Sequence, residues 1–268
     1  MKIRKTIPLL SALVLVGSLA APAALGADLA DVGYIDQAAI GALGPFQAAN
    51  GQVARYKAQL DSQFARQMKG AHSDADRRRI ASDFQQRFLN EQRTVLGPLF
   101  GRAQAAIAQV SSSQHLSVIV DKRIVVYGGV DITKNVVDLV NGPGAVVPPS
   151  ATPPPSDVGY VDQTQIDQVP KIKQANDAFL KYAGDQRSQA LAQMQSAKSN
   201  PQQQQTIFQN YQKNLSTQQD KMLKPLVDQT RSAMAKVAQQ KHLILVVDRS
   251  DVIYGGTDIT QDVQNALK

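Results

Sequence analysis

Apolar positions along the chain fall into two periods. Phe46, Val53, Tyr56, Leu60 and Phe64 are spaced as one stripe of a helix, and Ile80, Phe84, Phe88, Val95, Leu99, Ala103, Ile107 and Val110 form a second stripe. Between them GAHSD (Gly70–Asp74) breaks the pattern and offers Ser73 or Asp74 as an N-cap. Further on, Ile172, Phe179 and Tyr182 mark one helix, and Ile207, Tyr211, Leu215, Met222, Leu226, Met234 and Val237 mark another. SAKSNP (Ser196–Pro201) is their tip, with Asn200 a cap and Pro201 in the first helical position. Each pair predicts a long helical hairpin. Pro98 and Pro225 sit at matching places in the second helices and are expected to kink them. Elsewhere the pattern is that of strands. VGYID (Val32–Asp36), LSVIVD (Leu116–Asp121) and IVVYGG (Ile124–Gly129) are β-rich, and Lys122–Arg123 predicts a hairpin turn between the last two. Short helices follow at Lys134–Val140 and Gln261–Leu267, with Thr133 and Thr260 as expected N-caps.

The elements recur because the sequence does. Gln114–Thr133 reads QHLSVIVDKRIVVYGGVDIT and Lys241–Thr260 reads KHLILVVDRSDVIYGGTDIT, 127 residues later without a gap. VGYID recurs as VGYVD at Val158–Asp162, 126 residues later, so one insertion lies in the helical middle. This predicts a tandem duplication. The expected fold class is α+β: two modules, each a small β-sheet body with a long inserted antiparallel helical hairpin and a short C-terminal helix. The expected bounds are residues 28–141 and 158–268. Between them, Asn141–Asp157 (NGPGAVVPPSATPPPSD) has six prolines in 17 residues. The linker of residues 142–157 is therefore expected to be semi-extended, with a reach of roughly 50 Å that lets the modules move apart. Three short strands make a sheet with open edges, which oligomerisation through the bodies would close.

The first 27 residues are read as a signal peptide cleaved after export. Lys2, Arg4 and Lys5 precede an apolar run from Ile7 to Leu19, and mostly small residues follow. The run is short for a membrane span. No other segment is apolar enough to cross a bilayer, so a soluble mature chain is expected. Cysteine is absent, which removes disulfides, thiol catalysis and thiolate metal sites, and fits a bacterial periplasm. Charge is segregated within each repeat. Residues 45–111 carry net +5 and residues 170–239 net +6, while the rest of the two repeats is acidic. Such a field steers an oppositely charged partner. The helical hairpins are rich in Gln and Ala, with Glu91 the sole glutamate of the chain. A two-helix seam cannot bury a thick core, so elongated, marginally stable arms are expected, with apolar surface left for a partner.

No catalytic constellation stands out, and no cofactor or metal is expected. His72 has no second histidine near it, and His115 and His242 stand at matching places before a strand, where a structural role explains them. Gly128–Gly129 and Gly255–Gly256 lack the rest of a phosphate loop and read as turns into the final helix. Asp121, Asp131, Asp248 and Asp258 are explained by turns and caps. Arg77, Arg78 and Arg79 form the densest basic run, either a solvated helix face or a contact for anionic lipid or lipopolysaccharide headgroups. A basic chain raises nucleic-acid binding as an idea, but no base-reading motif accompanies it and no nucleic-acid partner is expected.

The order of VGYID, a long helical hairpin with LxPL, then LVVDRSDVIYGGTDIT and a terminal helix resembles the Skp/OmpH family of periplasmic chaperones. The resemblance covers both repeats, is specific in the strand-rich blocks, and is one of type alone in the arms. It implies a β-rich body that trimerises and projects helical arms around a cavity for unfolded outer-membrane proteins, without ATP. This chain departs from the pattern in holding two modules, in shorter arms and in arms poor in Glu and Lys. Three such chains would make two bodies, or one repeat would pair differently. The expected function is an ATP-independent periplasmic holdase. Phe46, Tyr56, Phe64, Phe84, Phe88, Phe179, Tyr182 and Tyr211 are its candidate seam and client contacts. Arg55, Arg66 and Arg87, with Arg77–Arg79, are its candidate basic contacts. The alternatives are a structural scaffold of the envelope and a lipopolysaccharide or membrane-surface binder.

Overall fold

The strand at VGYID and its repeat are the central strands of two small sheets in the computed structural model, which describes residues 29–149, 152–198 and 200–268. The expected signal peptide lies outside the described residues. From the first strand, β1 (Val32–Ile35), the chain runs through a one-turn helix α1 (Gln37–Gly41) into the arm helices α2 (Gly44–Lys69) and α3 (Asp74–Ser113). It returns as β2 (Val118–Asp121), then β3 (Val130–Asp131) and α4 (Thr133–Asn141). The second half follows the same order with the return helix split in two and one strand added: β4 (Val158–Val161), α5 (Gln163–Ile166), α6 (Pro170–Ser196), α7 (Pro201–Met222), α8 (Lys224–Gln240), β5 (Leu245–Asp248), β6 (Val252–Gly255), β7 (Thr257–Asp258) and α9 (Thr260–Ala266). The architecture is α+β, with long helices and small sheets.

β1 pairs in parallel with β2 on one side and β3 on the other, and β4 pairs likewise with β5 and β7. The long helical insertion makes this possible, because parallel neighbours need a crossover. The β-hairpin expected at Lys122–Arg123 is not formed. A single 3-10 turn stands there (Lys122–Ile124), and another at Arg249–Asp251. Asp121 and Asp248 cap these turns, accepting from the amides of Arg123 and Ser250 at 2.8 Å each. The turn throws the following segment off its own sheet. In the second half that segment is β6, which crosses over and pairs antiparallel with β2 of the first half. In the first half the equivalent residues, 125–128, form no strand.

The crossing strand ends on Gly255 and Gly256, both left-handed at φ +71° and +79°. A side chain at Gly255 would meet the Ser117 carbonyl at 2.1 Å, and the Gly256 amide donates to that carbonyl at 3.1 Å. Glycine is required because the backbones touch. The Ser117 hydroxyl donates to the Asp31 carboxylate and lies 3.0 Å from the hydroxyl of Ser156, at the end of the linker. Three apolar cores result. One gathers Ile35, Phe46, Ile107, Leu116, Ile119 and Ile132, and a second Val161, Ile166, Ile172, Met234, Ile259 and Val263. The third joins the halves through Val32, Val118, Val120, Val158 and Val252. The proline-rich linker therefore does not hold the halves apart, since the valine core brings them into contact.

Other expectations divide. Ser73 and Asn200 cap their helices as expected, accepting from Asp76 and Gln203 amides at 3.0 and 3.1 Å. Thr133 and Thr260 are not N-caps but first helical residues. Their hydroxyls accept instead from the amides of Asp36 and Asp162, at 3.0 Å each, tying strand ends to the final helices. Asp131 and Asp258 accept from the threonine amides in their place, at 2.9 Å. Pro98 lies inside an unbroken α3, where the carbonyl it leaves free, on Thr94, belongs to an exposed residue that water can serve. Pro225 begins α8 just after the break at Leu223. His115 and His242 both adopt φ +57° just past a helix end. Their amides donate to Ser112 and Gln239, and the next amides to Ser111 and Ala238 at 2.9 Å, closing Schellman turns.

Two outcomes follow from the junction. Gly255→Ala should lower the urea midpoint with a loss of about 2–3 kcal/mol, because strain and the blocked Ser117 carbonyl act together. The junction also gathers Asp121, Arg123, Asp248 and Asp251. Burial and the charges of Asp248 and Asp121 raise the Asp251 pKa above the ordinary carboxylate value, although Arg123 opposes them. A raised folded pKa penalises the charged form at neutral pH, and the penalty vanishes once both folded and unfolded chains are protonated. Asp251→Asn should therefore raise the urea midpoint at pH 7, with the gain shrinking as the pH falls through the carboxylate range.

Candidate functional site

The helical arms carry the candidate residues. At 1.5 Å per residue, the 26 residues of α2 extend about 39 Å. Burial is concentrated near the body. In α3 the buried residues are Phe84 and then a run from Ala103 to Ser111, and in α6 they are Ile172 and Phe179. None of the 22 residues of α7 is buried. This thin seam follows from the Gln- and Ala-rich composition, which supplies few side chains large enough to close it.

The expected aromatic contacts split in two. Phe46 is buried in the first core and packs edge-on against Phe100, with ring centroids 5.5 Å apart. Phe84 is buried against Phe64, with centroids 5.3 Å apart, and Phe179 is buried in its own seam. These three are packing residues, since no face of them is free for a client. Tyr56, Phe64, Phe88, Tyr182 and Tyr211 are half-buried.

The more accessible apolar surface lies on residues outside the stripes. Leu89, Phe100, Leu180, Leu191 and Phe208 are all exposed. Four of them directly follow a stripe residue: Phe88–Leu89, Leu99–Phe100, Phe179–Leu180 and Ile207–Phe208. Adjacent helical residues are about 100° apart, so the residue after a seam position faces outward. Phe100 still meets Phe46 edge-on, whereas Leu89, Leu180 and Phe208 keep about half of their surface in solvent. This doublet is the sequence signal that a search for stripes alone passes over.

The basic candidates also differ from one another. Arg87 pairs with Asp83 at 2.9 Å and lies over the Phe84 ring, 5.6 Å from its centroid. Arg77 and Arg79 face Asp74 and Asp76 at 3.5 and 3.6 Å. Among the described residues, Arg55, Arg66 and Arg78 face no carboxylate and stand exposed on the arm. The run Arg77–Arg79 thus keeps one unpaired cation, a weak basis for a lipid-headgroup site. The described residues include no cluster of side chains suited to hold a metal ion, and no helix long and apolar enough to cross a membrane.

Comparison with known proteins finds a match in the second half. A family model described as outer membrane protein (OmpH-like) matches residues 161–267, from the end of β4 to the end of α9. No curated protein and no solved structure matches the chain. Through residues 161–267, then, the chain carries an OmpH-like domain of the Skp/OmpH family.

Proposed function

We propose that this protein is a periplasmic holdase, built from a tandem duplication of one OmpH-like module, that binds unfolded outer-membrane proteins without ATP. The observation that carries the reading is the set of exposed apolar side chains on basic arms: Leu89, Leu180, Leu191 and Phe208. Apolar surface of this kind marks an interaction site when it has no partner within its own fold. Unfolded barrel strands alternate apolar and polar residues and lack a fixed shape. A flexible arm with scattered apolar contacts suits such a client better than a rigid pocket does. The unpaired cations at Arg55, Arg66 and Arg78 add attraction to acidic segments, and that attraction weakens with salt. Export to the periplasm is supported by the basic and apolar leader of residues 1–27 and by the OmpH-like match.

The envelope scaffold remains the contrasting reading, and the two differ in what they predict for unfolded chains. A urea-unfolded outer-membrane β-barrel protein, diluted into buffer with near-stoichiometric mature protein and no nucleotide, should scatter less light than it does alone. The variant L89S/L180S/L191S/F208S should keep its helical circular dichroism and lose most of that suppression. Aggregation as fast as with a charge-matched control protein would favour the scaffold.

A further inference from the structure

Where β6 crosses onto the first half, it does not fill all the space beside α3. A cavity of about 370 Å³ remains there, walled by Ile253 and Tyr254 of β6 and by Pro148 of the linker. Its floor is made by Gly101, Ala105 and Ala108 of α3. A Cβ at Gly101 would meet nothing within 4 Å, so the floor is open at that point. None of the lining side chains is charged, and the one side-chain amide among them is that of Gln104.

The repeat does not by itself dictate such a surface. In the second half, 127 residues on, Gly97, Gly101, Gln104 and Ala105 become Lys224, Asp228, Arg231 and Ser232. Lys224 pairs with Asp228 at 3.2 Å, as on an ordinary solvated helix. The first half lacks every one of these charges at the place where β6 crosses. Close packing against β6 would call for side chains that fill the space, and the small ones leave it open. Apolar cavities stay dry, and one of about 150 Å³ accepts a benzene ring. The larger cavity has room for the ring of any aromatic side chain. Apolar surface also continues past it. Phe100 and Val147, next in sequence to Gly101 and Pro148, are 55% and 69% exposed. An occupant can therefore be longer than one ring.

We propose that this cavity takes an aromatic side chain of an extended polypeptide segment. That the segment belongs to an unfolded client rests on the holdase reading above. The ring packs against Tyr254, and the small residues of α3 let it approach the helix backbone. Gln104 offers both a donor and an acceptor to the peptide group beside the ring. An uncharged lining rejects acidic and basic side chains, which would lose their hydration there. In an extended segment the neighbouring side chains point the other way, so one ring enters at a time. The body thereby gains its own hold on a chain that the arms also touch, and two weak holds on one chain reinforce each other.

The chain contains no tryptophan, so the emission of an added indole reports the site directly. The probe is the acetylated and amidated peptide Thr-Ala-Trp-Ala-Thr. Its emission should shift to the blue and saturate as mature protein is added. Gly101→Leu fills the cavity, and Gly101→Asp with Ala105→Ser installs the surface of the second half. Both variants should keep the helical circular dichroism of the parent and bind the peptide about tenfold more weakly, or worse. The arm variant L89S/L180S/L191S/F208S should bind it as the parent does. An absent or unsaturable shift, unchanged affinity in the Gly101 variants, or loss of binding in the arm variant would each overturn the proposal. So would N-acetyltryptophanamide binding as tightly as the peptide, because the ligand is then a free aromatic molecule. Suppressed light scattering without peptide binding removes this site and leaves the holdase reading. Peptide binding without suppression keeps the site and removes the client as its source.

Discussion

The antiparallel ladder between β2 and β6 is the interaction on which the body depends. Each half alone has three very short strands, one of them two residues long, and such a sheet is marginal without further cover. The ladder adds a fourth strand to the first sheet and presses the valines of both halves into a common core. Several local features serve it. The 3-10 turn after β5 aims the chain away from its own sheet, Asp248 holds that turn, and two left-handed glycines let β6 end against the Ser117 carbonyl. A side chain at any of these points would be felt in both halves at once.

A body closed in this way leaves the distal parts of the arms outside the main core. Their helices begin in it, through Phe46 and Ile172, and then leave it. What remains is held by a thin seam, by intrahelical pairs such as Lys57–Asp61 and Lys173–Asp177, and by the caps at Ser73 and Asn200. Exposed ion pairs of this kind contribute roughly 0.3–0.5 kcal/mol each, too little to rigidify an arm. Apolar side chains can then stay in solvent without competing for a place in the core. Low packing density and exposed apolar surface have one origin, the small number of large aliphatics in the hairpins.

Much of this was legible in residue order. The two periods of apolar spacing located the arm helices and β1, β2, β4 and β5, and the doubled block at Gln114–Thr133 and Lys241–Thr260 foretold matching element orders. The tip caps followed from Ser73 and from the Asn200–Pro201 step. What could not be read was the partner of each strand. LSVIVD and IVVYGG look like a hairpin because periodicity records which residues are apolar and not which neighbour covers them. Thr133 and Thr260 resemble N-caps by residue type, yet the aspartates two places earlier are better set to accept the first amide. The threonine hydroxyls are drawn to an unsatisfied amide some hundred residues away. For the arms, the stripe picked out Phe84 and Phe179, whose very fitness for the seam withdraws them from solvent. The surface instead belongs to their outward neighbours.

Arg102 has a consequence for how the chain assembles. From α3 its guanidinium donates to the carbonyls of Leu139, Val140, Gly142 and Gly144, clamping the end of α4 together with the first residues of the linker. The tether between the halves therefore starts from a fixed point on the first half, with fewer free residues than the proline-rich stretch contains. A short, stiff tether confines its cargo to a small volume, at an effective concentration in the millimolar range. The pairing of β6 is then a unimolecular event, independent of dilution. Any contact between separate chains would instead answer to how much protein is present, so the body forms ahead of it.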